Sequence, residues 1–142
     1  MAQENVKIIR GMWEPMKGVD VAAIDWDAPE LRENIGQFSP DFELTWTASW
    51  AGERHYSGQD AMLRAFGEWV APWSEYHAEV LEYIEVGDHV VAVTRQWGTG
   101  GTSGAPVEIR VTHLWEFRDG LITRMDEYET KEEAINEALD RA

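Results

Sequence analysis

The chain contains no cysteine. That absence excludes a disulfide framework, thiolate chemistry and any cysteine-ligated metal. Basic residues are scarce: 12 Lys and Arg stand against 27 Asp and Glu, for a formal net charge of -15. Such a surface repels phosphate backbones and anionic membranes, so neither nucleic acid nor a membrane is an expected partner. No apolar run approaches the ~20 residues of a membrane-spanning helix. The opening residues, MAQENVKIIRG, have no apolar stretch of the secretory-leader kind, and a cytoplasmic location is the expectation. No pairing of histidines with acids has metal-ligand spacing, so no metal is expected. GTGGTSG is glycine-rich, but it joins strand to strand, whereas a phosphate-binding glycine loop opens a helix. No cofactor is expected.

What is present points to a folded chain. Its 142 residues suffice for one domain, spanning 1–142, with one sizeable core. Hydrophobic residues make up 44% and charged residues 27%, the composition of a globular chain. Eight tryptophans are many for this length. They supply either a bulky core or an aromatic-walled pocket, and composition does not choose.

Val6, Ile9, Trp13 and Met16 recur at helical spacing and predict a helix over 3–17, ended by Gly18. A second short helix is predicted over 28–37, with Asp27 as its cap, Pro29 in its first turn and Gly36 at its end. Phe42, Leu44 and Trp46 alternate with Glu43, Thr45 and Thr47, the period of a half-buried strand. Ser57 and Asp60 precede a helical run from Met62 to Val70 that stops before Pro72. Strands are predicted over 78–86, 90–98, 107–117 and 121–129. The last two are joined through Asp119-Gly120, a tight-hairpin signal. Thr130 and Glu133 form a capping box that opens a closing helix over 131–141. Helices gather early and antiparallel strands late, which is an α+β pattern. Long, strongly twisted strands would curl around the early helices as an open cone, a curved antiparallel (mixed) sheet.

Period two sends one parity of a strand to each face of its sheet. In 107–117, His113 shares a parity with Val107, Ile109, Val111, Trp115 and Phe117. In the last strand, Leu121, Met125 and Glu127 share one parity and Arg124 and Asp126 hold the other. In 90–98, Arg95 goes with Val91, Val93 and Trp97, but the opposite set of Val90, Ala92, Thr94 and Gln96 is nearly as apolar. Arg95, His113 and Glu127 are therefore the candidate interior ionisable groups. An imidazole gives or takes a proton near neutrality. A carboxylate in apolar surroundings suits general acid–base work, and an arginine can hold an oxyanion. The structural alternative is a satisfied core histidine, with Arg95 and Glu127 as a buried ion pair. A β-bulge in the last strand would turn Glu127 outward and bring Asp126 in. Trp46, Trp97 and Trp115 have the parity of an aromatic wall. Trp69, Val111 and Met125 are further lining candidates. Tyr56 places its hydroxyl at the pocket mouth or packs on the helix that follows.

The segments FSPDFELTW, YSGQDAMLRAF, GDHVVAV, GTGGTSG, THLWEFRDGLITR and EYETKEEAINEAL occur in an order that resembles the SnoaL-like branch of the nuclear transport factor 2-like superfamily, from about Gln37 to Leu139. KGVDVAAIDWDAPELREN looks like a longer linker than that family usually has. The resemblance implies a cone whose pocket lies between the concave sheet face and the helices, and a homodimer through the outer sheet face. SnoaL-like polyketide cyclases carry a His before the last hairpin and an Asp after it, the Asp serving as acid–base of an intramolecular aldol ring closure. Counted from Gly120, those places hold His113 and Glu127, a Glu where the family has Asp. The ketosteroid isomerase branch needs a tyrosine and two acids where this chain has Met12, Trp46 and His113. The limonene epoxide hydrolase branch needs two carboxylates about an arginine, of which Arg95 and Glu127 supply part. The implied function is a cofactor-independent enzyme with an acid–base pocket for a hydrophobic carbonyl substrate, of cyclase, isomerase or dehydratase type. The alternative is a noncatalytic domain of the same fold that binds a small hydrophobic ligand or another protein.

Overall fold

In the computed structural model, which describes residues 2–46 and 53–141, the N-terminal helix ends sooner than its periodicity suggests. Helix α1 runs Ala2–Trp13 and then tightens into a 3-10 turn at Glu14–Met16. Pro15 is the cause: it has no amide hydrogen to continue the ladder. The second predicted helix shrinks to α2, Pro29–Arg32, capped by Ala28 with no side-chain bond. Asp27 instead lies 3.7 Å from Arg32 as an exposed ion pair. The segment before α2 is ordered by a 3-10 turn at Val21–Ala23, capped by Asp20.

Strand β1 (Phe38–Trp46) follows; Thr47, expected at its end, lies outside the described residues. A short strand β2 (Arg54–Ser57) precedes α3 (Ala61–Val70). Then come β3 (Trp73–Val86), β4 (His89–Gly100), β5 (Pro106–Arg118), β6 (Leu121–Tyr128) and α4 (Lys131–Arg141). β3 begins five residues earlier than its alternation signals, and β2 is too short to carry a periodic signal at all. The six strands form one curved, unclosed sheet in the order β2-β1-β6-β5-β4-β3. β1 and β6 run parallel and the other neighbours antiparallel, so the sheet is mixed. Register shifts interrupt the β3–β4 pairing twice and the β5–β6 pairing once. Such bulges bend a strand and sharpen its twist, which wraps the sheet around α1 and α3.

The concave face carries the main core, with Trp13, Phe42, Leu44, Phe66, Tyr76, Trp115 and Ile122 buried together. A second cluster lies on the outer face, where Val91 and Leu114 are covered by Ala134 and Ala138 of α4. The capping box forms: the Glu133 amide donates to Thr130 Oγ1 at 3.2 Å. At its other end, Arg141 donates to Asp126 at 2.9 Å and to Glu137 at 3.0 Å, which pins α4 to the back of β6.

The glycine-rich tip has a packing reason. A Cβ on Gly98 would stand 2.3 Å from the carbonyl oxygen of Glu75, where β3 bulges toward β4. The amide of Gly101 donates to the Pro72 carbonyl at 2.8 Å. Gly98→Ala should therefore cost about 1–3 kcal/mol of stability by urea unfolding. Gly36→Ala, at a site with nothing within 4 Å, should cost distinctly less. Equal losses would contradict the close approach at Gly98.

Candidate active site

The β5–β6 hairpin turns at Asp119 (φ 53°) and Gly120 (φ 79°). Two consecutive left-handed residues make the turn whose twist matches a two-residue hairpin. From there the strands pair Trp115 with Met125 and His113 with Glu127. The register slips once, between Glu116 and Phe117. The turn pairs Phe117 with Ile122, so Ile122, not Leu121, joins the inner face; Ile122 is fully buried and Leu121 only partly. The bulge adds one residue to β6 beyond Ile122, and that extra residue brings Met125 and Glu127 to the inner face; uninterrupted pairing would set Asp126 opposite His113. Asp126 turns to the outer face, 2.7 Å from Arg124.

His113 Nε2 stands 3.3 Å from Glu127 Oε2. His113 is 0% exposed and Glu127 7%. The imidazole is bracketed by indoles: its ring centre is 5.5 Å from that of Trp13 and 6.1 Å from that of Trp115. His113 Nδ1 and Trp115 Nε1 are buried with no hydrogen-bond partner among the described residues. Buried nitrogens of this kind are uncommon in folded proteins. Glu127 also borders a hollow of about 300 Å³ shared with Thr45, Asp126, Tyr128, Glu129 and Glu133, on the side to which Asp126 turns; His113 does not line it.

Further along the concave face lies a polar chain that the sequence reading missed. Trp69 Nε1 donates to the Tyr76 hydroxyl at 2.7 Å, and that hydroxyl donates to Gln96 Oε1. Gln96 Nε2 donates to Thr94 Oγ1 at 3.1 Å, and Thr94 donates to the Val111 carbonyl at 2.8 Å. Burial raises the pKa of Tyr76 well above the ordinary tyrosine value; the donor bond from Trp69 opposes this, and the negative charge of Glu127 adds to it. Tyr76 and Glu127 thus feel one another across the interior. The signal that could have found this chain was the even parity of β4, where Thr94 and Gln96 stand in one set with the apolar Val90 and Ala92.

That parity also corrects two assignments. Arg95 and Trp97 are on the outer face of β4, not in the interior. Arg95 pairs with Glu108 at 2.7 Å and Glu79 at 3.6 Å, and its guanidinium lies 4.1 Å over the Trp97 ring. Trp97 stacks on His77 at 5.4 Å. Val91 misled the reading, because it is apolar for α4 rather than for the concave core. The other lining candidates lie as follows. Val111, Trp115 and Met125 are buried on strands β5 and β6. Trp46 packs against Tyr56, Phe66 and Trp69. Tyr56 gives its hydroxyl to Glu68 of α3.

A larger cavity, of about 380 Å³, opens among the helices instead of over the sheet. Trp13 lines it, and so do Met12, Trp26, Ile35 and Phe66; neither His113 nor Glu127 does. Among the described residues no three His, Asp or Glu side chains converge as metal ligands, and no helix is long and apolar enough to cross a membrane.

Comparison with known proteins follows this geometry. A model of the SnoaL-like domain matches residues 10–125. A solved protein from Jannaschia sp. CCS1, named as a SnoaL-like polyketide cyclase, superposes with a TM-score of 0.68 at 16% identity, covering 99% of this chain and 94% of that one. TerC, co-crystallised with polyporic acid, superposes at 0.65 with 18% identity over 96% of this chain and 98% of its own. A protein of ketosteroid isomerase-like fold from Catenulispora acidiphila DSM 44928, in complex with trimethylamine, gives 0.62 at 17% identity, covering 92% and 91%. No curated protein sequence matches the chain.

The phenol of Tyr76 yields a pH prediction. The fold favours its neutral form, so its contribution to stability is complete below the ordinary value of 10.0 and is lost as pH rises from there toward the raised folded value. Stability of the wild type should fall more steeply between about pH 9 and 11 than that of Tyr76→Phe. At neutral pH the variant should be less stable by about 1–3 kcal/mol, because Gln96 Oε1 loses its donor. Denaturant unfolding across that range checks both; parallel pH curves would refute the first.

Proposed function

The chain belongs to the SnoaL-like domain family, and from that premise we propose that it is a cofactor-independent enzyme acting on a small hydrophobic carbonyl compound. The reaction is removal of a proton beside the carbonyl, leading to ring closure, isomerisation or dehydration. The observation that carries this reading is the buried approach of His113 Nε2 to Glu127 Oε2 at 3.3 Å, on the concave face and between two indoles. Glu127 takes the proton from carbon and returns it later in the cycle. His113 donates through Nε2–H and holds the carboxylate in one orientation, as the second member of an acid–base pair does. Trp46, Trp69, Val111, Trp115 and Met125 supply the apolar wall.

The resemblance to the cyclases puts Asp where this chain has Glu127. The longer side chain moves the carboxylate by about a bond length, and a displacement of ~1 Å costs up to ~100-fold in rate. The substrate of this chain is therefore one whose acidic carbon lies correspondingly nearer the middle of the cone. A second reading, a ligand-binding domain without catalysis, is favoured by the complete burial of His113.

Hydrogen–deuterium exchange separates the two. The wild type should catalyse exchange of the acidic protons of a cyclic aryl ketone such as 2-tetralone in D2O, followed by proton NMR. Glu127→Gln should lower that rate by about 10²–10⁴-fold, and His113→Asn by less. Exchange at the same rate in wild type and Glu127→Gln would leave the binding-only reading standing.

A further inference from the structure

The cavity among the helices has no part in that chemistry, and its lining has a character of its own. Its floor is α1 and the turn after it, through Met12, Trp13 and Met16. Its outer wall is the long segment before β1, through Ile24, Trp26 and Ile35, and α3 closes it with Met62 and Phe66. Gln37, the last residue before the sheet, and Phe38, the first of β1, complete the lining. We propose that this cavity is a binding site for a neutral, planar hydrophobic molecule bearing a hydrogen-bonding group, separate from the His113–Glu127 pair.

Charge is the first argument. Charged residues are 27% of the chain, yet among the described residues no Asp, Glu, Lys, Arg or His lines this cavity. An ion entering it would be desolvated without a partner, so the occupant is neutral. Shape is the second. Trp26 stacks on Phe66 at 5.1 Å and 11°, and Trp13 meets Phe66 edge-on at 6.0 Å, so the walls are flat aromatic faces. Met12, Met16 and Met62 add flexible thioethers that adapt to the edge of a ring system. The volume of about 380 Å³ lies within the range that holds a small organic molecule. The exposed Asn34 and the half-buried Gln37 are the amides that can meet a polar substituent.

Preorganisation is the third. One carboxylate oxygen of Asp20 accepts from the amide of Ala22 at 3.0 Å and from the amide of Tyr76 at 2.9 Å, which ties the outer wall to β3. Trp26 Nε1 donates to the Val21 carbonyl at 3.1 Å, and this fixes the ring that forms the wall. The site is therefore built before any molecule arrives, and binding costs little reordering. It shares one side chain with the catalytic proposal: Trp13 lines the cavity and also packs on His113. The proposal does not depend on catalysis.

The test uses the whole protein and two fluorescent probes of similar shape. Neutral N-phenyl-1-naphthylamine should bind saturably, and the anionic 1-anilinonaphthalene-8-sulfonate at least about tenfold more weakly. Ile35→Trp and Met16→Trp, which fill the cavity from opposite walls, should each weaken the neutral probe by at least about tenfold. Far-UV circular dichroism identifies whichever of the two remains folded. Glu127→Gln should leave the affinity within about twofold, so loss of exchange catalysis and loss of probe binding are read separately. The proposal is overturned if the wild type shows no saturable binding or binds both probes equally. It is also overturned if the folded filling variants bind as well as wild type, or if Glu127→Gln abolishes binding.

Discussion

The interior of this protein depends on the hairpin register set at Asp119-Gly120. With both turn residues left-handed, the turn has no spare residue with which to slide. A slip of one would exchange every inner side chain of β6 for an outer one. Asp126 would then face His113, and Glu127 would face Arg124 and the end of α4. Ile122 follows the turn directly and fills the narrow end; the bulge after it makes one such exchange, and that exchange sets Glu127 opposite His113. A parallel β1 then sets Leu44 beside Met125 and Thr45 beside Asp126, which brings Trp46 to the level of the pair.

Stability alone is a poor account of that pair. Replacing a buried polar pair by apolar residues of similar volume is often neutral or favourable, whereas removing one partner is costly. The surroundings are the hydrophobic concave core, where such apolar residues would fit. The same core spends its aromatic residues unevenly. Trp13 and Trp115 clasp the imidazole, while Trp69 and Trp73 gather around Tyr76 at the other end of the cone. Trp26 belongs to the helix-side cavity, and Trp97 is on the outside. Trp13 thus lines the helix-side cavity and also packs on the imidazole of His113.

Much of this was legible in the residues themselves. His113 could be read as an interior group because β5 is apolar on one face, and Glu127 was a candidate from the parity of β6, with Asp126 as its alternative. The α+β order, the capping box at Thr130 and the end of α3 before Pro72 follow from equally local rules. Arg95 and Trp97 were misread for a physical reason. β4 is covered on both faces, by the concave core and by α4, so both of its parities are apolar and alternation loses its meaning. Tyr76 was missed because it lies before the strand predicted over 78–86, and Gln96 and Thr94 because only their hydrogen bonds mark them as a buried chain.

The sequence by itself determined most of the elements and the place of the last hairpin, because each is decided by contacts between near neighbours. Tertiary structure decided what no local rule contains. It set which face of β4 is inner, through the docking of α4 against Val91 and Leu114. It carried the segment from Lys17 to Gln37 over the helices, through Asp20 bound to Tyr76, 56 positions away. That long-range bond turned an ordinary-looking linker into the wall of a cavity.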